Sequence, residues 1–222
     1  TDVKSIFNSA IGILGNGIIA LFSILFITFF FLKEKKLYSD LLLSLTPESK
    51  SDQVFNVMKN TKQLLSRYFI GIIFQISIIT IVVSTGLSIL GIKNAILIGF
   101  LAGIINVIPY IGPIIGAIIG VIIGISTNLD LDFYSQIIPL SLKICLVFGI
   151  MQVIDNFVLQ PLIFSNSVKA HPLEIFIIVI SAGTLWGVLG MIIAIPFYTL
   201  FRVIAKEFLS EFKLVQELTK NI

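Results

Sequence analysis

The stretch 94–126, NAILIGFLAGIINVIPYIGPIIGAIIGVIIGIS, decides the fold of this chain. It contains no charged residue, but Pro109 and Pro113 interrupt it. A proline lacks a backbone N–H and clashes with the preceding helical turn, so two prolines this close cannot lie inside one continuous helix. We therefore predict two half-length helices, 94–108 and 114–126, which meet at a sharp turn and form a re-entrant hairpin over 94–126.

Three further runs, 5–32, 68–92 and 175–201, also lack Asp, Glu, Lys and Arg. Hydrophobic residues make up 57% of the 222 residues, charged residues only 12%, and the mean hydropathy is +1.07. A soluble domain carries about 25% charged residues, and about 20 apolar residues span a membrane. The runs are apolar all round rather than alternating, and backbone groups in lipid must pair within their own segment. The composition predicts an all-α integral membrane protein with a single polytopic domain over 1–222.

Local sequence signals for the starts and ends of helices predict the remaining segments. Residues 10–32 are predicted to form the first span. Thr46-Pro47-Glu48 is typical of a helix start, with Thr46 as the N-cap and Pro47 at the first helical position. The apolar residues that follow recur at helical spacing, with basic residues on the other face. The other predicted segments are an interfacial amphipathic helix at 47–67, spans at 69–92 and 136–160, a second broken hairpin at 173–205 and a tail helix at 206–222.

The charges of the loops predict their sides of the membrane. Segment 33–69 carries seven Lys and Arg residues, and the C-terminal tail is also basic, so both are predicted to be cytoplasmic. Loop 127–135 contains Asp130 and Asp132 but no basic residue, as expected outside. Each broken run would then enter and leave the membrane on one side. Residues 69–126 and 136–205 would form a possible inverted repeat, an arrangement found in transporters.

Small residues repeat in both broken runs. Gly112, Gly116, Gly120 and Gly124 recur every four residues and form one smooth ridge on a helix. Such a ridge favours close helix packing, assigned here to Gly116, Gly120 and Gly124. The alternative is a mobile hairpin or a path lined by backbone. Gly183, Gly187 and Gly190 interrupt the second run.

Asp155 lies in the third predicted span, with Gln152 and Asn156 nearby. An ionised carboxylate in hydrocarbon costs at least about 2.5–3.5 kcal/mol, so such residues face a bundle interior or a water path. The alternative places Asp155 near the cytoplasmic interface, where it would pair with Lys169 or a helix end. Both interpretations stay open at this point.

Several functions are disfavoured. Cys145 and His171 are the only residues of their types, which excludes a metal site built from a Cys/His cluster. We find no catalytic motif or phosphate-binding loop, and we predict no enzyme, no cofactor and no metal. The net charge of +3 does not indicate nucleic-acid binding, because the basic residues flank membrane segments.

The motifs resemble the autoinducer-2 exporter family of bacterial transporters. They are Gly99-Phe-Leu-Ala-Gly-Ile-Ile-Asn-Val-Ile-Pro-Tyr-Ile-Gly-Pro113, Gln152-Val-Ile-Asp-Asn-Phe-Val-Leu-Gln-Pro161, Ser167-Val-Lys-Ala-His-Pro172 and Gly183-Thr-Leu-Trp-Gly-Val-Leu-Gly-Met-Ile-Ile-Ala-Ile-Pro196. The resemblance implies an inner-membrane permease, a homo-oligomer in the lipid bilayer, and a fragment that lacks N-terminal spans. A Glu often stands at the position of Asp155 in that family, so Asp155 keeps the charge.

We therefore expect a transporter that exports a small polar solute, with the quorum-sensing signal autoinducer-2 as the preferred substrate. The path would lie where the two hairpin tips, 109–113 and 183–190, approach the membrane midplane. The candidate path residues are Asn106, Pro109, Tyr110, Gly112, Pro113, Gln152, Asp155, Asn156, Gly183, Gly187 and Gly190. One alternative is a sodium/proton-type antiporter of a monovalent cation, with Asp155 as the titrating group. Another is a non-transporting membrane scaffold or regulator.

Overall fold

The computed structural model describes residues 3–34, 37–128, 132–163, 168 and 170–220, and the regular elements among them are helical. The α-helices are α1 (Val3–Lys33), α2 (Leu37–Ser44), α3 (Ser51–Ile89), α4 (Ala95–Ile105), α5 (Ile111–Ser126), α6 (Ile138–Ile154), α7 (Gln160–Ile163), α8 (Pro172–Phe208) and α9 (Lys213–Thr219). Within these described residues, four helical segments are long and apolar enough to cross a membrane: Gly15–Lys33, Glu48–Ile89, Phe133–Ile163 and Pro172–Phe208. The prediction of an all-α membrane protein is confirmed.

Some residues used to predict the sides of the loops lie outside the described part of the chain. They are Lys35, Lys36 and Asp130. The predicted sides of the loops stay predictions.

The chain divides into two compact units, Thr1–Met58 and Lys59–Ile222. In the first unit α1 is one long helix that includes the predicted span 10–32, and its residues from 15 to 33 are exposed. The ring of Phe31 stacks on that of Tyr38 in α2, with 3.9 Å between the ring centroids. An apolar helix that is exposed on all sides suits lipid, since lipid tails are as apolar as its side chains.

The predicted amphipathic helix 47–67 and span 69–92 are one continuous helix, α3. The region between them contains no proline to interrupt the backbone hydrogen bonds, so the change from an amphipathic to an apolar pattern leaves no break. Thr46 is not the N-cap, because its hydroxyl donates to the carbonyl oxygen of Leu42 at 2.6 Å. Pro47 instead precedes a short 3-10 turn, Glu48–Lys50, that leads into α3.

The first broken run forms an antiparallel helical pair, α4 and α5. Gly112 in α5 lies against the backbone of Ile105, while Gly120, further along α5, faces Ile98 near the start of α4. At about 1.5 Å per residue, α4 and α5 are about 16 and 24 Å long, shorter than a hydrocarbon core of roughly 30 Å. The two short helices agree with the proline breaks, and whether the pair is re-entrant stays a prediction.

The second broken run, α8, also folds back on itself. Its backbone leaves helical geometry at Trp186 (φ −130°, ψ 15°) and Gly187 (φ 61°, ψ −147°). The Tyr198 hydroxyl in the second half donates to Glu174 Oε2 near the start of the first half, at 2.8 Å. Residues separated by 24 positions can meet in this way only because the two halves run antiparallel. The length of α8 therefore does not make it one straight span, and the inverted repeat stays a prediction.

The predicted tail helix 206–222 is divided between the end of α8 and the short helix α9. Arg202, which is 3% exposed, holds this region together. Its Nη1 donates to the carbonyl oxygen of Val168 at 3.0 Å, and its Nη2 donates to that of Leu218 in α9. Residues 221 and 222 lie outside the described part of the chain.

Candidate functional site

Asp155 is the centre of a buried polar cluster in an otherwise apolar helical bundle. Its side chain is 1% exposed and accepts hydrogen bonds from amides on three other segments. Gln75 Nε2 of α3 donates to Oδ1 at 2.7 Å. Asn106 Nδ2, at the end of α4, and Gln160 Nε2 of α7 donate to Oδ2 at 3.2 and 2.8 Å. We refer to these four side chains as the carboxylate–amide cluster.

Neutral amides are the hydrogen-bond partners of Asp155 among the described residues. No Lys, Arg or His side chain in the described part of the chain hydrogen bonds to Asp155. Lys169, the partner in the alternative interpretation, lies outside the described residues. Hydrogen bonds to an ionised acceptor are stronger than neutral ones, which offsets part of the burial penalty. A buried acidic group of this kind can bind a proton, a small cation or the polar groups of a solute.

A π-type turn, Asp155–Leu159, places Gln160 beside Asp155. The backbone N–H of Gln160 donates to the carbonyl oxygen of Asp155, five residues earlier. Residues five apart lie roughly 140° apart on an α-helix, but they share a face over a π turn. Pro161 gives a local cause, because it cannot donate the next helical hydrogen bond and its ring crowds the preceding turn. The turn therefore brings Gln160 within reach of both Asp155 and Asn156.

An open groove with a volume of about 960 Å³ borders the side chains of Asn156 and Gln160. Its lining residues are Tyr110, Pro113, Ile114, Ala117, Ile118, Cys145, Phe148, Gly149, Gln152, Asn156, Gln160, Pro161, Ala170 and Pro172. Three of them form a row at intervals of four residues, which we call the amide ladder: Gln152, Asn156 and Gln160. Gln152 Nε2 and Gln160 Nε2 both donate to Asn156 Oδ1, at 2.7 and 3.2 Å. The groove thus combines an apolar wall with one polar strip.

Two small cavities lie within the same part of the bundle. One, of about 10 Å³, is lined by residues that include Gln75, Asn106 and Gln160. The other, of about 20 Å³, is lined by residues that include Asp155, Asn106 and Gln152. A single water molecule needs about 10–15 Å³ and several polar partners, so each cavity is of the size for one water. The buried carboxylate and its amides therefore border spaces that can hold water.

The first hairpin tip contacts the start of α8. Tyr110 precedes α5 with a backbone φ of 67°, a left-handed conformation that is rare for a non-glycine residue. Its hydroxyl donates to the carbonyl oxygen of Pro172 at 3.2 Å, and its ring meets that of Phe176 edge to face at 5.4 Å. Pro109 lines the smaller cavity, and Pro113 lines the groove. The tip 109–113 thus borders the site through its prolines and Tyr110.

Other candidate residues lie away from this site. Gly183, Gly187 and Gly190 line neither the groove nor the two small cavities. Gly183 packs against the Met191 side chain, and Gly190 packs against the carbonyl of Ala182 inside the turn of α8. The structure therefore brings Asn106, Gln152, Asp155 and Asn156 together with the first hairpin tip, but not with the second.

The glycine ridge of α5 faces helices rather than the groove. Gly116 lies beside Ala102 of α4, whereas Gly120 and Gly124 lie against Phe148 and Ile144 of α6. Gly112 lies at the turn, where a Cβ would collide with the backbone of Ile105. The absence of side chains on this ridge lets α5 approach both neighbours closely.

The sequence analysis missed two members of the cluster, Gln75 and Gln160. Gln75 is a polar residue in a charge-free run, but an uncharged amide among Ser and Thr residues gives a weak signal. Gln160 belongs to the motif that ends at Pro161, yet its spacing from Asp155 suits contact only in a π turn. A search of the sequence for amide residues directly before a proline in an apolar segment would have found Gln160.

The model of the "AI-2E family transporter" family matches residues 1–210. The chain is 27% identical over 201 residues to the Bacillus subtilis (strain 168) protein named "Putative transport protein YueF", covering 90% of this chain and 52% of that protein. It is 26% identical over 184 residues to "Putative transport protein YrrI" of the same organism, covering 83% and 50%. A shorter match, 41% over 58 residues, is to "Putative permease PerM" of Escherichia coli (strain K12), covering 26% of this chain and 16% of that protein. The chain spans about half the length of the two Bacillus relatives.

Proposed function

Because the chain belongs to the AI-2E family of membrane transporters, we propose that it exports a small polar solute through the groove beside the carboxylate–amide cluster. The preferred solute is the quorum-sensing signal autoinducer-2. One observation carries this proposal: the open groove holds the amide ladder directly beside the cluster. Amides both donate and accept, so the ladder suits a solute with several hydroxyl or carbonyl groups.

The lining of the groove favours a neutral solute. Its described lining residues include no Lys, Arg, Asp or Glu, so an ionic solute would lose its hydration without gaining a counter-charge. Phe148, Ile114 and Ile118 supply an apolar wall against which a compact solute can pack. Small-ligand sites commonly have this composition, a largely apolar lining with a few polar groups that fix orientation.

The predicted sides of the loops define the two ends of the proposed export route. The basic segment 33–69 and the C-terminal tail belong in the cytoplasm under the positive-inside rule, with loop 127–135 outside the inner membrane. Family resemblance supports a homo-oligomer, in which each copy would carry its own groove. The solute would enter the groove from the cytoplasm and leave on the side of loop 127–135.

Efflux of autoinducer-2 from proteoliposomes tests this proposal. Asn156→Ala removes the central acceptor of the ladder. If the solute loses a hydrogen bond worth about 1.4 kcal/mol, we expect efflux to slow by about tenfold. Phe157→Ala is the matched control, because Phe157 follows directly in the same turn, is 78% exposed and does not line the groove. We expect the control to keep efflux near that of the wild type. No autoinducer-2 efflux by the wild-type protein, or full efflux by Asn156→Ala, would contradict the proposal.

A second candidate function is exchange of a monovalent cation for protons. The observation that favours it is a buried carboxylate whose partners among the described residues are all neutral. Sodium-driven proton movement in the same proteoliposomes distinguishes the two functions. Proton movement that Asp155→Asn abolishes would support the antiporter, while efflux without proton movement would support the exporter. A protein with neither flux would support the scaffold alternative.

A further inference from the structure

We propose that Gln160 is a positioning residue that closes the passage between the groove and Asp155. When its side chain releases Asp155, water from the groove reaches the carboxylate and a proton can bind there. This inference rests on the proposed transport function, because the groove is taken to be open to the solute and to water.

The position of Gln160 supports this role. Its side chain borders both the groove and the cavity of about 10 Å³ that it shares with Gln75 and Asn106. Gln152 borders both the groove and the second cavity, of about 20 Å³, which reaches Asp155. Among the described lining residues, Gln160 is the one that the groove shares with the first cavity, and it also donates to Asp155, so its side chain lies between the groove and the carboxylate. The groove and the second cavity share Pro113 and Phe148 as well as Gln152.

Gln160 donates two hydrogen bonds of unequal robustness. Its Nε2 is shared between Asp155 Oδ2 at 2.8 Å and Asn156 Oδ1 at 3.2 Å. Asn156 lies four residues earlier, a separation that an α-helical turn also places on one face. Asp155 lies five residues earlier and stays in reach only while the π turn persists. If the turn tightens, Gln160 keeps Asn156 and leaves Asp155 with two donors.

Release of this bond allows a balanced proton transfer. A hydronium ion that enters from the groove gives its proton to Oδ2 of Asp155, which forms an O–H bond and leaves a water molecule. The reverse step returns the proton to the groove. The groups that contact Asp155 from α3, α4 and α7 are the neutral amides of Gln75, Asn106 and Gln160. In the described part of the chain no charged side chain contacts Asp155 and competes for the proton.

Modification by dicyclohexylcarbodiimide measures this access directly. The reagent adds to protonated carboxyl groups in membranes, and mass spectrometry of the labelled peptide identifies an adduct on Asp155. The experiment uses the protein reconstituted in proteoliposomes, without any solute. Gln160→Ala removes a hydrogen bond to a charged group, so we expect the rate of labelling at Asp155 to rise by about tenfold. Asp155→Asn gives the background for that peptide.

Matched variants distinguish an opened passage to Asp155 from a general loss of packing around the site. Asn156→Ala removes the other acceptor of Gln160 but leaves the bond to Asp155, so its labelling rate should stay within about twofold of the wild type. An unchanged rate in Gln160→Ala, or an equal rise in Asn156→Ala, would overturn the proposal. If Gln160→Ala does not fold, Gln160→Met keeps the volume without the donor, and its rate should also rise. An unchanged rate in a folded Gln160→Met would overturn the proposal too.

Two separate measurements distinguish the role of Gln160 from the transport function. Labelling is measured on Asp155 itself, and efflux is measured on the solute. Raised labelling in a protein without efflux would retain the passage and reject the exporter. Efflux by the wild type together with unchanged labelling in Gln160→Ala would retain the exporter and reject the role of Gln160.

Discussion

The packing of α5 on α6 gives a quantitative test through Gly120. Replacing Gly120 with alanine puts a Cβ atom 2.5 and 2.6 Å from two carbons of the Phe148 ring. Carbon atoms pack best at about 3.5–4.0 Å, so the ring or the helix must move by about 1 Å. Overpacking of this kind costs about 1–3 kcal/mol. Alanine also gains about 1 kcal/mol over glycine in a helix, so the net loss is about 0–2 kcal/mol.

Gly149 supplies the matched control, since it lies in α6 next to the same Phe148 but has open space where its Cβ would be. Gly149→Ala therefore shows only the helical gain of about 1 kcal/mol. The two variants should differ by about 1–3 kcal/mol, with Gly120→Ala the less stable. Gly116→Ala should fall near Gly149→Ala, because its nearest neighbour would be 3.6 Å away, an ordinary contact.

Thermal unfolding of the purified variants in detergent measures this order of stability. A double-mutant cycle makes the cause specific: in a Phe148→Leu background the clash is relieved, and Gly120→Ala should lose less stability than in the wild type. Equal unfolding temperatures for Gly120→Ala and Gly149→Ala would refute the reasoning. So would a loss for Gly120→Ala that is unchanged when Phe148 is leucine.

Three further predictions concern the backbone, a loop and the tail. Gly187→Ala should lower stability by about 1–3 kcal/mol in thermal unfolding, because Gly187 has a φ of 61° and ψ of −147°, a region almost exclusive to glycine. Its Cβ would meet no neighbouring atom, so a loss for this variant reports backbone strain alone. The backbone N–H of Ser135, followed by its hydroxyl, lowers the pKa of Asp132. The stabilisation by ionised Asp132 is therefore present at neutral pH and lost as the pH falls through the lowered pKa. The difference in melting temperature between the wild type and Asp132→Ala should disappear in the same way, and a difference that persists in acid would contradict this assignment. Arg202→Lys removes the fork that holds two backbone carbonyls and should cost about 1–3 kcal/mol. Limited proteolysis should then release α9 faster than in the wild type, and equal rates would argue against anchoring by Arg202.

The sequence by itself determined the class of the protein and the places where its helices break. Charge-free runs longer than a bilayer leave helix as the available structure, because backbone groups in lipid must pair within their own segment. Pro109 lies between α4 and α5, Pro113 lies in the first turn of α5, and Gly187 supplies a conformation that other residues avoid. These effects are local in the chain, so they can be seen in the sequence. Asp155 also stood out, since a lone carboxylate in such a run is costly.

Only the tertiary structure decided which residues meet. Gln75 and Asn106 reach Asp155 across 80 and 49 positions of the chain, and the first hairpin tip contacts Pro172 rather than the turn at 183–190. The helices are apolar on nearly all sides, so their hydrophobic pattern does not indicate which face is buried against protein and which faces lipid. That choice depends on close packing between helices, including the contact of Gly120 with Phe148. The carboxylate–amide cluster is a consequence of this packing, because each amide lies on a face that only the assembled bundle turns toward Asp155.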